Sequence, residues 1–193
     1  MLTAARWDMA YLGMQVLIEG LALAAFQRIR DTAKNPLAAA VNAYVMQDEA
    51  RHVAFGRIAL RDYYPQLTAV ERCEREDFVI AACHHMRDRF NQVELWANLG
   101  FDAEESLKTV MGSDMMAQFR GRLFSRIVPT VRDIGLWSPK VQAAFSAMGA
   151  IQFAELDAKS MLDNDQRVAE EFDAKRHVEQ ALAAAPVRAA MVR

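Results

Sequence analysis

The sequence predicts an all-α protein, a helical bundle, from three features that agree. Apolar residues make up 53% of the 193-residue chain, which holds only 8 glycines and 5 prolines. This composition is typical of globular helical proteins. Apolar residues recur at helical spacing over long stretches, and runs of β-branched residues are scarce. We expect one all-helical domain over residues 1–193, with the bundle helices in residues 1–98 and shorter helices in residues 99–193.

Two long helices joined by a short turn are predicted at the start of the chain. Residues 4–31 form the first, which is apolar enough to be buried on most of its faces. Asn35 is a good N-cap, and Pro36 is a good first residue for a second helix over residues 36–63. Pro65 ends that helix. Because the connecting turn is short, the two helices should be antiparallel neighbours.

Two capping signals predict the next helices. Thr68 and Glu71 form a capping box that opens a third helix, which should run to about Asn98. Asp102, reinforced by Glu105, opens a short helix in the same way.

The last third of the chain is predicted as shorter pieces and one charged helix. Pro129 and Gly135 should break the helical pattern, and Ser138 should begin a helix that runs to about Phe153. Residues 164–184 indicate a solvated amphipathic helix. Its charged residues are Asp165, Arg167, Glu170, Glu171, Asp173, Lys175, Arg176 and Glu179.

The candidate functional residues lie on the first two helices. Glu49 and His52 stand three apart, so both side chains share one face of the second helix and can grip one metal ion. Glu19 is the sole ionisable residue in the apolar run 9–26. Glu19 and Glu49 are nearly equidistant from the turn, which places them within about 3 Å in height. We therefore expect all three groups to meet at a common buried point, although Glu19 alone could instead reach water or an arginine.

Residues 13–22 and 47–56 carry a resemblance to a known superfamily. A single-glutamate helix followed by a Glu-x-x-His helix resembles the ferritin-like di-iron proteins, especially their oxygenase and oxidase branches. These branches include ribonucleotide reductase radical subunits, acyl carrier protein desaturases and p-aminobenzoate N-oxygenase-like proteins. The resemblance implies a ferritin-like bundle in which Glu19, Glu49 and His52 bind iron, or iron with manganese. It also implies that Asp48 holds the ring nitrogen of a histidine from another motif.

The chain departs from that superfamily in one respect. A complete site uses two Glu plus Glu-x-x-His sets, and this chain has one, because no glutamate lies three residues before His84, His85 or His177. The bundle is then partial, with a missing N-terminal half, or completed by a second copy in a homodimer. The resemblance implies a di-iron oxygenase or oxidase, or the C-terminal half of one, that activates O₂ on a hydrophobic small molecule. The alternatives are a non-catalytic truncated helical protein and an iron-binding or storage protein.

Charge and cysteine usage narrow the remaining partners and the location. A net charge of −2 and a pI near 6.1 favour no nucleic acid partner. Gln15 and Glu19 would be costly in lipid near the centre of a membrane span, so we expect a core helix instead. Cys73 and Cys83 are too far apart on one predicted helix to form a disulfide. Free thiols fit a cytoplasmic protein.

Overall fold

The structure, a computed structural model, describes residues 6–89 and 91–191, with side chains described throughout except at positions 115, 120 and 178–191. The chain is all-α, with no strand among these residues, so the predicted fold class is confirmed. The α-helices are α1 (Trp7–Tyr11), α2 (Glu19–Thr32), α3 (Pro36–Tyr63), α4 (Ala69–Arg89), α5 (Val93–Asn98), α6 (Ala103–Gly112), α7 (Asp114–Asp133), α8 (Pro139–Ala147) and α9 (Ala158–Met191). Short 3₁₀ turns occupy Tyr64–Gln66 and Ile151–Glu155.

The hairpin of α2 and α3 is the centre of the bundle. The Asn35 side chain accepts a hydrogen bond from the amide of Leu37 at 2.9 Å, which caps α3 as its sequence predicts. α3 packs against α2 on one side and α9 on another, and α2 also packs against α7. The longest described helix, α9, therefore lies in the region expected to hold shorter helices and belongs to the bundle itself.

The first predicted helix is continuous but is not α-helical throughout. α1 and α2 are joined by the π-helical segment Leu12–Ile18, and the amide of Glu19 donates to the carbonyl of Met14, five residues back. A π-helical turn holds one more residue than an α-turn and is frequently found at functional sites. The segment ends directly before Glu19, so it sets the direction in which α2 presents that residue.

Two hydrophobic clusters form the core. The larger joins the π-helical segment to α4, α7 and α8, with fully buried members Leu12, Val16, Val79, Ile127, Val131, Val141 and Phe145. The smaller joins α2, α3 and α9 through Leu23, Met46, Ala50, Val53 and Leu162. This cluster joins α9 to α2 and α3, the two helices that carry the candidate residues, so α9 packs against the hairpin that holds the candidate site.

Two predicted helix boundaries are wrong. The third helix ends at Arg89 instead of Asn98, and Gln92 adopts a left-handed φ of 50° before α5 begins. Helix α8 ends at Ala147 instead of Phe153, because Gly149 takes a φ of 69°. In both places a left-handed residue reverses the chain between two helices, and helical periodicity in the sequence does not report that change.

Pro129 lies inside α7 instead of ending a helix. Proline has no amide hydrogen, so the helix loses the bond that residue 129 would donate to the carbonyl of Ser125. Apolar packing compensates for this loss, because Leu123, Ile127 and Val131 are all buried in the larger core cluster. Gly135, at a φ of 84°, follows the end of α7 as expected.

Two charged residues of α9 contact other helices of the bundle. Asp165 is buried and accepts hydrogen bonds from both terminal nitrogens of Arg126, at 2.7 and 2.9 Å. Asp173 accepts a hydrogen bond at 2.8 Å from the hydroxyl of Tyr44 on α3. The prediction of a solvated amphipathic helix is confirmed for the other charged residues with described side chains, which are exposed: Arg167, Glu170, Glu171, Lys175 and Arg176. Asp165 and Asp173 are the exceptions, because they fasten α9 to the rest of the bundle.

The stretch Trp7–Thr32 leaves a few large apolar residues exposed. It is long and apolar enough to cross a membrane by length and composition alone, and 44% of its apolar window is buried within the protein. Its large exposed apolar residues are Trp7, Met14, Ile18 and Ile29. Within residues 9–26 only Met14 and Ile18 are exposed, so the prediction of burial on most faces is confirmed for that run. The exposed apolar residues leave one face of the hairpin without an apolar partner among the described residues.

Candidate metal site

Glu19, Glu49 and His52 come together between α2 and α3. One potential ligand atom of each lies within 4.8 Å of those of the other two. Nδ1 of His52 is 3.8 Å from a carboxylate oxygen of Glu19 and 3.5 Å from one of Glu49. The antiparallel register of the hairpin brings the groups to the same height, and the i, i+3 spacing on α3 points Glu49 and His52 the same way. Their function as metal ligands stays a prediction.

Glu19 is held in an environment that disfavours its charge. Its side chain is 18% exposed, and its Oε2 atom is buried without a hydrogen-bond partner. Burial raises the pKa of Glu19 above its usual 4.5, the neighbouring Glu49 raises it further, and His52 opposes the shift. A proton or a cation on Glu19 would relieve this cost.

The expectation that all three groups meet at a buried point is wrong for His52. The imidazole is 60% exposed, whereas the two glutamates are 18% and 25% exposed. His52 lies on the side of α3 that also carries exposed Asp48 and Phe55, where the Tyr11 ring of α1 contacts Phe55 at a centroid distance of 5.7 Å. The site is therefore enclosed by α2 and α3 on the inside and open on the outside.

The donor set suits a single divalent cation. Two carboxylates and an imidazole are ligands that iron, manganese and zinc accept, and three protein donors leave coordination positions open. Oε2 of Glu19 is buried and has no hydrogen-bond partner, which is expected of a carboxylate oxygen that binds a cation. The residues present therefore fit a metal ion, and they fit one ion better than two.

Asp48 forms a local ion pair at the edge of the site. Its carboxylate accepts a hydrogen bond from Arg51 at 3.1 Å, and both side chains are exposed. The expected bond from Asp48 to a second histidine stays a prediction, because that histidine would have to come from another motif or another copy.

Two neighbours of the site, Gln15 and Gly56, were not singled out by sequence reasoning. Gln15 lies in the π-helical segment one turn before Glu19, and its Oε1 atom is buried without a hydrogen-bond partner. Its side chain lies against Gly56 on α3. A second polar residue in the same apolar run was the signal that could have identified Gln15.

An apolar groove lies beside the same helix, between the π-helical segment and α4. Its volume is about 430 Å³, and its lining includes Gly13, Leu17, Ile18, Phe78, Ala82 and Met86. Ile18 directly precedes Glu19, so the groove and the candidate site share one turn of helix. A groove of this size and lining accepts a small apolar molecule.

The chain was compared with known proteins at three levels. No protein-family model, no curated protein sequence and no solved structure matches it. The likeness to ferritin-like di-iron proteins therefore depends on the two short motifs alone, and the function must be argued from the geometry of the site.

Proposed function

We propose that the chain binds a divalent metal ion, with iron preferred, through Glu19, Glu49 and His52, and that it forms half of a di-iron oxygenase or oxidase centre. The proposal depends chiefly on three donor atoms that lie within 4.8 Å of one another. The unpartnered, buried oxygen of Glu19 supports it, because such a carboxylate is costly without a cation or a proton.

The residues have distinct tasks in this proposal. Glu19 and Glu49 together balance the charge of one dication, and His52 offers Nδ1, which is the ring atom near both carboxylates. Iron, when bound, supplies the redox chemistry that O₂ activation requires, whereas the protein fixes its position and access. Helices α2 and α3 hold the donors rigidly, because both are packed into the bundle on their inner faces.

A second metal position needs further donors, and we propose that a second copy of the chain supplies them. Asp48 and His52 lie one turn apart on the open side of α3, next to Phe55, which is 60% exposed. A two-fold interface uses the same patch on both copies. Asp48 of one copy would then accept a hydrogen bond from the ring nitrogen of His52 in the other, which gives the exposed imidazole a partner.

The groove beside the π-helical segment favours a small apolar substrate. Its lining is almost entirely aliphatic and aromatic, and Ile18 separates it from Glu19. Ile18 and Glu19 are consecutive, so a molecule bound there would lie on the same turn of helix as one of the proposed ligands. This placement supports an oxygenase or oxidase more than a storage protein, which needs no organic substrate.

Anaerobic calorimetric titration with Fe²⁺ tests the metal site. We expect the wild-type chain to bind Fe²⁺, and we expect Glu49→Gln and His52→Ala to weaken binding by about 100-fold or more. Asp62→Asn is the matched control, because it removes an exposed carboxylate from the same helix outside the site. No binding by the wild-type chain, or equal weakening by Asp62→Asn, would contradict the proposal.

Sedimentation with and without Fe²⁺ tests the second copy. We expect dimers when iron is bound, and we expect Phe55→Glu to keep the chain monomeric by placing a charge on the shared face. Oxygen consumption by the iron-loaded dimer should increase when small apolar compounds are added. Turnover that needs no organic compound would favour storage, and a chain that stays monomeric with iron bound would exclude completion by a second copy.

A further inference from the structure

Gln15 occupies an unusual position opposite the second helix of the hairpin. A Cβ atom added at Gly56 would lie 2.5 Å from Cβ of Gln15, which is closer than two such carbons can approach. Position 56 therefore needs glycine for Gln15 to lie where it does. This close contact holds the side chain of Gln15 between the helices. Its Oε1 atom is buried without a hydrogen-bond partner.

The register of the hairpin places Gln15 in the layer next to the candidate metal site. Gln15 lies four residues before Glu19, and Gly56 lies four residues after His52. Because the helices are antiparallel, the pair Gln15 and Gly56 lies one turn from the pair Glu19 and His52. Helical side chains lean toward the N-terminus of their own helix, so the carboxylate of Glu19 extends over the turn that holds Gln15.

Two buried oxygens in adjacent layers thus lack donors. Oε2 of Glu19 and Oε1 of Gln15 are both hydrogen-bond acceptors, and neither has a partner. Buried acceptors are normally satisfied, so two together need a common explanation. A cation between the helices satisfies both, because carboxylate and amide oxygens are both ligands of hard divalent ions.

We infer that Gln15 supplies a fourth donor, its amide oxygen, to the metal ion held by Glu19, Glu49 and His52. This inference rests on the proposed metal site and adds to it a neutral oxygen ligand from the π-helical segment. It explains why a polar residue lies inside an apolar run, why α3 carries glycine opposite it, and why its oxygen lacks a partner in the protein.

Substitution of Gln15 by methionine tests the inference, because methionine has a similar length and no amide. We expect Gln15→Met to weaken Fe²⁺ binding by about tenfold in anaerobic titration. We expect the same variant without metal to be at least as stable toward urea as the wild type, because an unsatisfied polar atom is removed. Gln142→Met, which replaces an exposed glutamine of α8, is the matched control and should change neither quantity.

The outcomes separate this inference from the proposed function. If the wild-type chain binds no Fe²⁺, both are overturned. If Fe²⁺ binding depends on Glu49 and is unchanged in Gln15→Met, only the inference is overturned. Weaker binding together with a metal-free protein less stable than the wild type would also overturn it, because Gln15 would then act through the fold. Weaker binding with unchanged or higher metal-free stability supports it.

Discussion

Two regions of the bundle bury charged side chains in opposite ways. On the α7 and α9 side, Arg126 meets Asp165 with two hydrogen bonds, and on the α4 side, Arg75 meets Asp8 at 2.9 Å. All four of these side chains are buried. Between α2 and α3, by contrast, Glu19 is largely buried with no arginine or lysine paired to it among the described ion pairs, and one of its oxygens has no partner.

Elsewhere in this fold an arginine neutralises each of these buried acids, whereas no arginine in the described part of the chain is paired with Glu19. Arg57 and Arg126 do leave one nitrogen each without a partner, but other nitrogens of the same guanidinium are bonded. At the candidate site, acceptors without donors lie in adjacent layers beside a histidine. We interpret the pairs Arg126–Asp165 and Arg75–Asp8 as fixed structural pairs. We interpret the candidate site between α2 and α3 as a place for an exchangeable cation.

Arg126→Met gives the largest expected effect. It leaves Asp165 buried without its partner, and breaking such a pair typically costs about 3–5 kcal/mol. Urea denaturation of the metal-free protein measures the loss. Arg167→Met, which breaks the exposed pair with Glu171 on the same helix, is the control and should cost less than about 0.5 kcal/mol. Equal losses for the two variants would show that Asp165 is not held as the structure indicates.

Metal addition should stabilise the folded protein through the site formed by Glu19, Glu49 and His52, and not through the buried arginine pairs. Iron(II) at 100 times its dissociation constant is expected to raise the free energy of unfolding by about 2.7 kcal/mol. The same increment should appear in Arg126→Met, because distant sites contribute additively, and at the same Fe²⁺ concentration it should fall to about 0.4 kcal/mol or less in Glu49→Gln. Anaerobic urea denaturation with and without Fe²⁺ measures it. An increment that survives in Glu49→Gln would place the metal elsewhere.

Glu19→Gln should stabilise the metal-free protein, by about 1–2 kcal/mol at pH 7, because it removes a buried charge beside Glu49. The effect should depend on pH. The folded-state pKa of Glu19 is raised above 4.5, so between the two values the folded state binds more protons than the unfolded chain. Wild-type stability should therefore fall as the pH rises through that window, and the fall should be smaller in Glu19→Gln. Urea denaturation between pH 4 and pH 8 measures both curves, and parallel curves would contradict the assignment.

The parts of the fold that the sequence predicts are those set by near neighbours. The start of α3 follows from Asn35 and Pro36, and the Thr68–Glu71 and Asp102–Glu105 capping bonds form as expected. The grouping of the candidate residues also follows, because a short turn fixes the register of two long helices. Each of these predictions needs only helix geometry and residues a few positions apart.

The parts that the sequence does not predict depend on distant partners. Asp165 is buried because Arg126, 39 residues away, reaches it from another helix. Pro129 stays inside α7 because the core around it is dense, and the exposure of His52 depends on what covers α3. The π-helical segment Leu12–Ile18 has no local signal in the sequence either. Periodicity reports which face of a helix is apolar, but not what packs against it.

Two glycine substitutions give the smallest expected effect and compare the candidate site with the core. Alanine is a better helix former than glycine by about 1 kcal/mol, so both variants gain from propensity. Gly20→Ala places its Cβ 3.4 Å from Cγ1 of Ile127, an ordinary contact, and should be neutral or slightly stabilising. Gly56→Ala meets Cβ of Gln15 at 2.5 Å, and this carbon cannot rotate away because it is bonded to the backbone.

Overpacking of that kind costs about 1–3 kcal/mol, so Gly56→Ala should lose about 1 kcal/mol after the gain in propensity. It should also weaken Fe²⁺ binding, because the helices must separate at the layer next to Glu19 and His52. Urea denaturation and anaerobic titration of both variants measure the two effects. If Gly56→Ala were as stable as Gly20→Ala and bound iron as the wild type does, the hairpin would not be closely packed at Gln15. The donor geometry would then depend on the side chains of Glu19, Glu49 and His52 alone.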